Sequence, residues 1–166
     1  MAEDNPAGDT MKATRTVAVP ADRVFAVLAD PTTHGAIDGT GWVRDAVDPV
    51  PLTEAGQVFG MDMYHPNHPD GDYRMANRVE VLDPPRAIGW LPGQEQEDGR
   101  LEFGGWVWRY DLASLGPSET AVTLTYDWSG VPPHIREYIR FPPFGPEHLS
   151  SSLDHLAELA ASTARA

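Results

Sequence analysis

GGWVWRYDL, residues 104–112, sets Trp106, Trp108 and Tyr110 at every second position and fills the gaps with Val107, Arg109 and Asp111. Side chains alternate between faces along a β-strand, so this period sends the aromatics one way and the charges the other. The pattern recurs in TAVTLTYDW, where Val122, Leu124, Tyr126 and Trp128 share a face and Thr123, Thr125 and Asp127 take the other. Upstream, Phe59, Met61 and Met63 oppose Asp62, and Tyr73, Met75, Asn77, Val79 and Val81 oppose Arg74, Arg78 and Glu80. Ile88 and Trp90 align in RAIGWLP. A slip of one residue would bury Arg109 and Asp111 and expose three aromatics, so the register is well determined.

Outward from this stretch, seven strand patterns are visible: MKATRTVAV from Met11, GWVRDAV, QVFGMDMYH, DYRMANRVEVL, RAIGWLP, LEFGGWVWRYDLA and TAVTLTYDWS. Gly, Pro, Asn and Asp clusters separate them, and several connections are short enough for antiparallel hairpins. After the first strand, Val24, Val27 and Leu28 share one face of a short helix that begins near Pro20. Asp30-Pro31 reads as the cap of a second short helix through TTHGAI, ended by Gly39 and Gly41. At the other end, Leu149, Leu153, Leu156 and Ala160 form one stripe of the helix EHLSSSLDHLAELAASTA. About 17 helical residues span roughly 25 Å, enough to cross a sheet.

The sheet has one apolar face, and that face needs a cover. The expected fold is therefore α+β: a seven-stranded curved antiparallel sheet, two short helices after the first strand and a long C-terminal helix over the inner face. Residues 1–10 read as a disordered N-terminal tail and 11–164 as a single domain. The proline-rich stretch VPPHIREYIRFPPFGP is expected to be a loop with one helical turn around His134–Ile139.

The 166 residues include 12 basic and 25 acidic side chains, a net charge of −13, and no cysteine. That sign of field disfavours nucleic acid and anionic lipid surfaces, and the lack of thiols excludes disulfides and thiolate chemistry. No signal peptide and no membrane span are visible, so the expected location is cytoplasmic. A homodimer is left open.

The stretches VAVPADRVFAVLADPTTHGAIDGTG, NRVEVLDPPRAIGW and WVWRYDLASLGPSETAVTLTYDW, with the leucine-spaced final helix, resemble the START-related, polyketide-cyclase-like superfamily often labelled SRPBCC. The resemblance covers about residues 11–164. It implies a helix-grip fold with a deep apolar cavity between the curved sheet and the C-terminal helix. It implies no single activity, since members bind lipids, cyclise polyketides or act as co-chaperone-like modules.

The inner-face residues Phe59, Met61, Tyr73, Asn77, Trp90, Trp106, Trp108, Tyr110, Tyr126 and Trp128 are the expected cavity wall, with Leu149, Leu153 and Leu156 as its cover. The partner expected there is a hydrophobic, partly oxygenated small molecule, lipid- or polyketide-like. Asn77, Tyr110 and Tyr126 are the inner polar candidates. They would orient a ligand hydroxyl or ketone, hold an enolate oxygen, or satisfy one another through buried water.

An enzymatic alternative of the cyclase, aromatase or dehydratase kind would use His34, Asp38 or Tyr110 for proton transfer, His34 and Asp38 being four apart. A protein-interaction module is the third reading. It would use Ile135, Tyr138, Ile139, Phe141 and Phe144 as an exposed patch, although the same residues suit a lid over the cavity. His65, His68, Asp70 and Asp72 cluster in YHPNHPDGDY, where turn chemistry accounts for them better than a metal site does. No cofactor and no metal are expected. Common hydrolase, zinc-protease and nucleotide motifs are absent from the sequence.

Overall fold

The aromatic stretch is broken at its own glycines. In the computed structural model, which describes residues 9–39, 41–47, 50–66, 69, 71–138 and 141–165 (side chains to Ser162), Leu101–Phe103 is one strand and Val107–Gly116 another. Both pair with the same neighbouring strand, Ala87–Glu95, at different points along it. Between them Gly105 sits at φ +98°, where a side chain would be strained, and a Cβ there would lie 2.3 Å from the carbonyl oxygen of Gly130. The chain is pinned at that crossing, and Trp106 falls in the break rather than in a strand.

One expected strand is thus two, and the sheet has eight strands among the described residues instead of seven. They are β1 (Thr10–Val17), β2 (Val43–Ala46), β3 (Val58–Tyr64), β4 (Asp72–Asp83), β5 (Ala87–Glu95), β6 (Leu101–Phe103), β7 (Val107–Gly116) and β8 (Glu119–Asp127). The antiparallel order is β1-β8-β7-β5-β4-β3-β2, with β6 beside β5. β1 starts at Thr10, opposite Asp127, one residue earlier than expected. Residues 1–8 of the expected tail lie outside the described residues.

Helices α1 (Ala21–Leu28) and α2 (His34–Asp38) follow β1, with a 3₁₀ turn at Pro31–Thr33 between them. Asp30 caps that turn, its Oδ1 accepting from the Thr32 N–H at 3.0 Å. Gly39 ends α2 at φ +71°. A short α3 (Pro133–Arg136) and the long α4 (Glu147–Arg165) complete the chain.

α4 lays Leu149, Leu153, Leu156 and Ala160 into the core, each at most 1% exposed. Phe59, Met61, Tyr110, Leu112, Val122, Leu124, Tyr126 and Trp128 meet them from the sheet in one continuous cluster. The charges expected on the outer face are there: Arg109 pairs with Asp111 at 3.0 Å and Arg74 with Asp62 at 2.9 Å, all well exposed. Such pairs add little stability in water.

The alternation also fails within β4. A bulge in β4 between Val79 and Val81 shifts its pairing with β5, so Leu82 stands opposite Ile88. Leu82, not Val81, then packs against the core cluster.

Where β1 turns into α1, the buried Thr120 hydroxyl donates to the Val19 carbonyl at 2.7 Å. Thr120→Val keeps the shape and strands that carbonyl. It is expected to lower the unfolding free energy by about 1–2 kcal/mol in urea denaturation.

Candidate functional site

The end of α2, the start of α4 and the proline-rich loop meet around a cleft of about 320 Å³. Asp38 and Gly39 come from α2, Trp42 from the turn after it and Phe144 and Gly145 from the loop. Glu147, His148, Ser151 and His155 line it from α4. Helical spacing puts 148, 151 and 155 on one stripe, flanking the leucine stripe that packs on the sheet.

His148 Nε2 lies 3.5 Å from Asp38 Oδ1, and both side chains are nearly buried at 10% and 12% exposure. Burial holds the His148 imidazole below its usual pKa, while the Asp38 and Glu147 charges oppose that shift. His155 Nδ1 donates to the Ile37 carbonyl at 2.9 Å and ties α4 to α2. Gly39 makes this approach possible, since a Cβ there would fall 2.3 Å from the His155 ring.

Phe144, which lines the cleft, belongs to a packed aromatic cluster. Phe144 lies 4.4 Å from His148, 5.6 Å from Trp108 in a stacked arrangement and 4.9 Å from Tyr126, centroid to centroid. Trp108 and Tyr126 are themselves 4.5 Å apart, and Trp106 contacts Phe141 at 5.7 Å. Phe141 and Phe144 therefore cover the aromatic face of the quoted stretch. Of the other loop residues expected to act as a lid or patch, Ile135 packs against the core and Tyr138 is 87% exposed. Ile139 lies outside the described residues.

Three polar side chains stand on the inner face of the sheet, none of them lining the cleft. Asn77, Tyr110 and Tyr126 are at most 6% exposed, and none of their side chains bonds to another described residue. Burial raises both tyrosine pKa values well above the ordinary phenol range, and the Asp38 charge pushes Tyr110 further the same way. Tyr73, half-buried, is raised by burial and then by Asp38, which places that carboxylate over the same wall.

Sequence reasoning singled out Asp38, but paired it with His34. The structure does not bring those two together. His34 is buried, stacks on Trp90 at 5.0 Å, meets Phe59 edge-on at 5.5 Å and bonds the Leu28 carbonyl through Nε2 at 2.9 Å. Asp38 meets His148 instead. Phe59, Met61, Trp128, Leu149 and Leu153 are core, with Trp90 packed against it.

His148, Ser151, His155 and Trp42 were not anticipated. Their signal was a polar stripe beside the leucines of the last helix. In the YHPNHPDGDY loop, His65 packs against Trp42 at 4.7 Å and Asp72 begins β4. His68 and Asp70 lie outside the described residues. No group of three or more metal-ligating side chains occurs among the described residues.

Known proteins place this geometry. No family model matches the chain. A solved protein from Mycobacterium smegmatis superposes with TM-score 0.66 over 97% of this chain and 96% of its own, at 19% identity. A norcoclaurine synthase from Thalictrum flavum does so with TM-score 0.62, 12% identity and 93% and 94% coverage. An aromatase/cyclase from a Streptomyces species gives 0.54, 18% identity and 92% and 86% coverage. The fold these share is the helix grip, a curved antiparallel sheet closed by a long C-terminal helix.

Identities this low speak for the fold alone. A relative in sequence, an uncharacterised protein of Mycobacterium tuberculosis, is 33% identical over 112 residues. Those residues are 68% of this chain and 44% of the relative, so the chain spans less than half the length of the curated protein that it matches. Among the described residues no helix is long and apolar enough to cross a membrane.

Proposed function

We propose that this helix-grip domain binds a small, hydrophobic, partly oxygenated molecule at the cleft beneath Phe144. The supporting observation is the trio Asn77, Tyr110 and Tyr126 on the inner face of the sheet, whose side chains find no hydrogen-bond partner among the described residues and of which Tyr126 lies 4.9 Å from Phe144, a residue lining the cleft. Such groups cost about 1–3 kcal/mol each when unsatisfied, and a ligand hydroxyl or carbonyl oxygen would recover that. Trp108, Tyr126 and Phe144 supply apolar surface around it. The size of the cleft, about 320 Å³, sits at the low end of small-molecule sites and suits one or two rings better than an extended lipid or polyketide chain.

Native mass spectrometry of freshly purified protein, followed by denaturing extraction, tests this reading. A co-purifying small molecule is expected, and Tyr110→Phe combined with Tyr126→Phe should weaken its retention about tenfold. Retention unchanged in the double variant would sink the proposed role of the two hydroxyls.

One observation favours a second reading, that of an enzyme. His148 and Asp38 stand as an imidazole–carboxylate pair at the cleft, an arrangement that can move a proton. Turnover of the bound ligand that is lost in His148→Gln while binding persists would decide for it.

A further inference from the structure

Phe144 and Trp108 meet as a stacked pair, ring centroids 5.6 Å apart and planes 25° from parallel. Tyr126 borders both rings, 4.5 Å from Trp108 and 4.9 Å from Phe144. The Tyr126 side chain is 2% exposed and makes no hydrogen bond to another described residue. One jaw of the Phe144–Trp108 seam thus lines the cleft, and a buried phenol without a partner borders the seam.

The two jaws are held differently. Trp108 belongs to β7, where the ladder sets it opposite Tyr126 of β8 on one side and Trp90 of β5 on the other. Phe144 belongs to FPPFGP, residues 141–146, whose three prolines have no N–H to donate. Residues 141–144 make no hydrogen bond to another described residue, so the ring contacts to Trp108, Tyr126 and His148 hold Phe144 in place. A second aromatic ring can replace such contacts in kind.

We propose that the ligand presents an aromatic ring that wedges between Trp108 and Phe144 and sets an oxygen against the Tyr126 hydroxyl. Widening the seam by one ring thickness, about 3.5 Å, gives each jaw an aromatic neighbour again. The ladder keeps Trp108 still, so Phe144 is the jaw that moves. An aliphatic ring of similar size would fill the volume but lose the stacking on both faces. The ligand oxygen supplies the hydrogen bond that the Tyr126 hydroxyl lacks. This inference rests on the cleft being the binding site, and adds the class of ligand and the residue that yields to it.

Phenol, cyclohexanol and toluene separate these contributions in calorimetric titrations of the full chain at about pH 7.5, where a phenol is neutral. Phenol should bind at least about fivefold tighter than cyclohexanol. Tyr126→Phe should weaken phenol about fivefold and leave toluene unchanged. Phe144→Leu keeps an apolar jaw without a π face, and should reduce the preference for phenol over cyclohexanol to about twofold.

Fluorine NMR reads the movement directly. With 3-fluorophenylalanine in place of all five phenylalanines, the Phe144 resonance is the one missing from Phe144→Leu. Saturating phenol should shift that resonance and leave those of the core residues Phe25 and Phe59 in place. Phenol that binds with the Phe144 resonance unmoved, or no tighter than cyclohexanol, overturns the inference and leaves the binding site standing. A full preference for phenol that survives Phe144→Leu does the same. Binding of none of the three overturns both.

Discussion

Gly105→Ala is expected to lower the unfolding free energy by about 3 kcal/mol or more, the largest loss expected from a single methyl group in this chain. Two costs combine. Gly105 holds φ +98°, a conformation that L side chains rarely adopt. The added Cβ would also meet Gly130 O at 2.3 Å, Gly130 C at 2.6 Å and Val131 N at 2.8 Å. All three are backbone atoms and cannot swing aside as a side chain could.

Gly99→Ala separates the two costs. Gly99 has φ +86° with nothing within 4 Å of its Cβ position, so only the conformational cost applies, about 1–2 kcal/mol. Equal losses for the two variants in urea denaturation would mean that the close approach at Gly130 is not maintained.

The same corner matters for the site. Val131 starts the loop that delivers Phe144, and Arg136 staples it through Nε to the Val131 carbonyl at 3.0 Å and Nη2 to the Trp128 carbonyl at 2.8 Å. A distorted Gly105–Gly130 crossing should therefore also loosen Phe144 from Trp108. Ligand affinity should fall with stability in Gly105→Ala and remain unchanged in Gly99→Ala.

The glycines of the quoted stretch show where sequence reading stops. A sheet with one dry face imposes period two, so the inward set could be read directly from Val122 to Trp128, and burial follows it residue by residue. Where the chain leaves the ladder, the pattern carries no mark. Gly104-Gly105 sits inside an alternation that continues on both sides, and only the crossing with Gly130, 25 residues on, makes it a break. The Val79–Val81 bulge is similar, because either Val81 or Leu82 would satisfy an apolar inner face.

The site was partly legible for a related reason. Asn77, Tyr110 and Tyr126 stood out because polar groups on an apolar face need partners. His148 did not, because the adjacent leucines already explained the helix. Its partner Asp38 lies 110 residues away, a distance that no local pattern bridges. Asp38 was noticed through its spacing from His34, a neighbour in sequence that the fold turns into a different environment. The 3₁₀ turn ahead of α2 and the stacking on Trp90 carry His34 into the core, while Asp38 at the C-terminal end of α2 reaches the cleft.

That placement makes His34 an acid-sensitive element of the fold. Burial is the largest influence on its imidazole and lowers the pKa, opposed by the hydrogen bond to the Leu28 carbonyl and by the Asp30 charge. The ring is 8% exposed and lies between Trp90 and Phe59, where a charge would be poorly solvated. The unfolded chain takes up this proton near pH 6.5 and the native chain only at lower pH.

Stability is therefore fully present above about pH 6.5 and declines as pH falls through the window down to the native value. The limiting slope is about 1.4 kcal/mol per pH unit. His148 acts in the same direction. Asp83 and Asp98, whose pKa values are lowered by hydrogen bonds from Arg86 and Arg100, lose their contributions only below about pH 4, whereas the histidine decline begins near pH 6.5.

His34→Gln is expected to cost about 2–3 kcal/mol at pH 8, through lost stacking and an imperfectly filled site. It should also remove part of the decline between about pH 6.5 and 5, so that the gap between variant and parent narrows as acid is added. Urea midpoints across that range, with tryptophan emission reporting on Trp90, measure both effects. A gap that stays constant from about pH 8 to 5 would show that His34 takes its proton as readily in the folded chain as in the unfolded one. The ring would then have to be solvated, and its burial between Trp90 and Phe59 could not be a description of the native core.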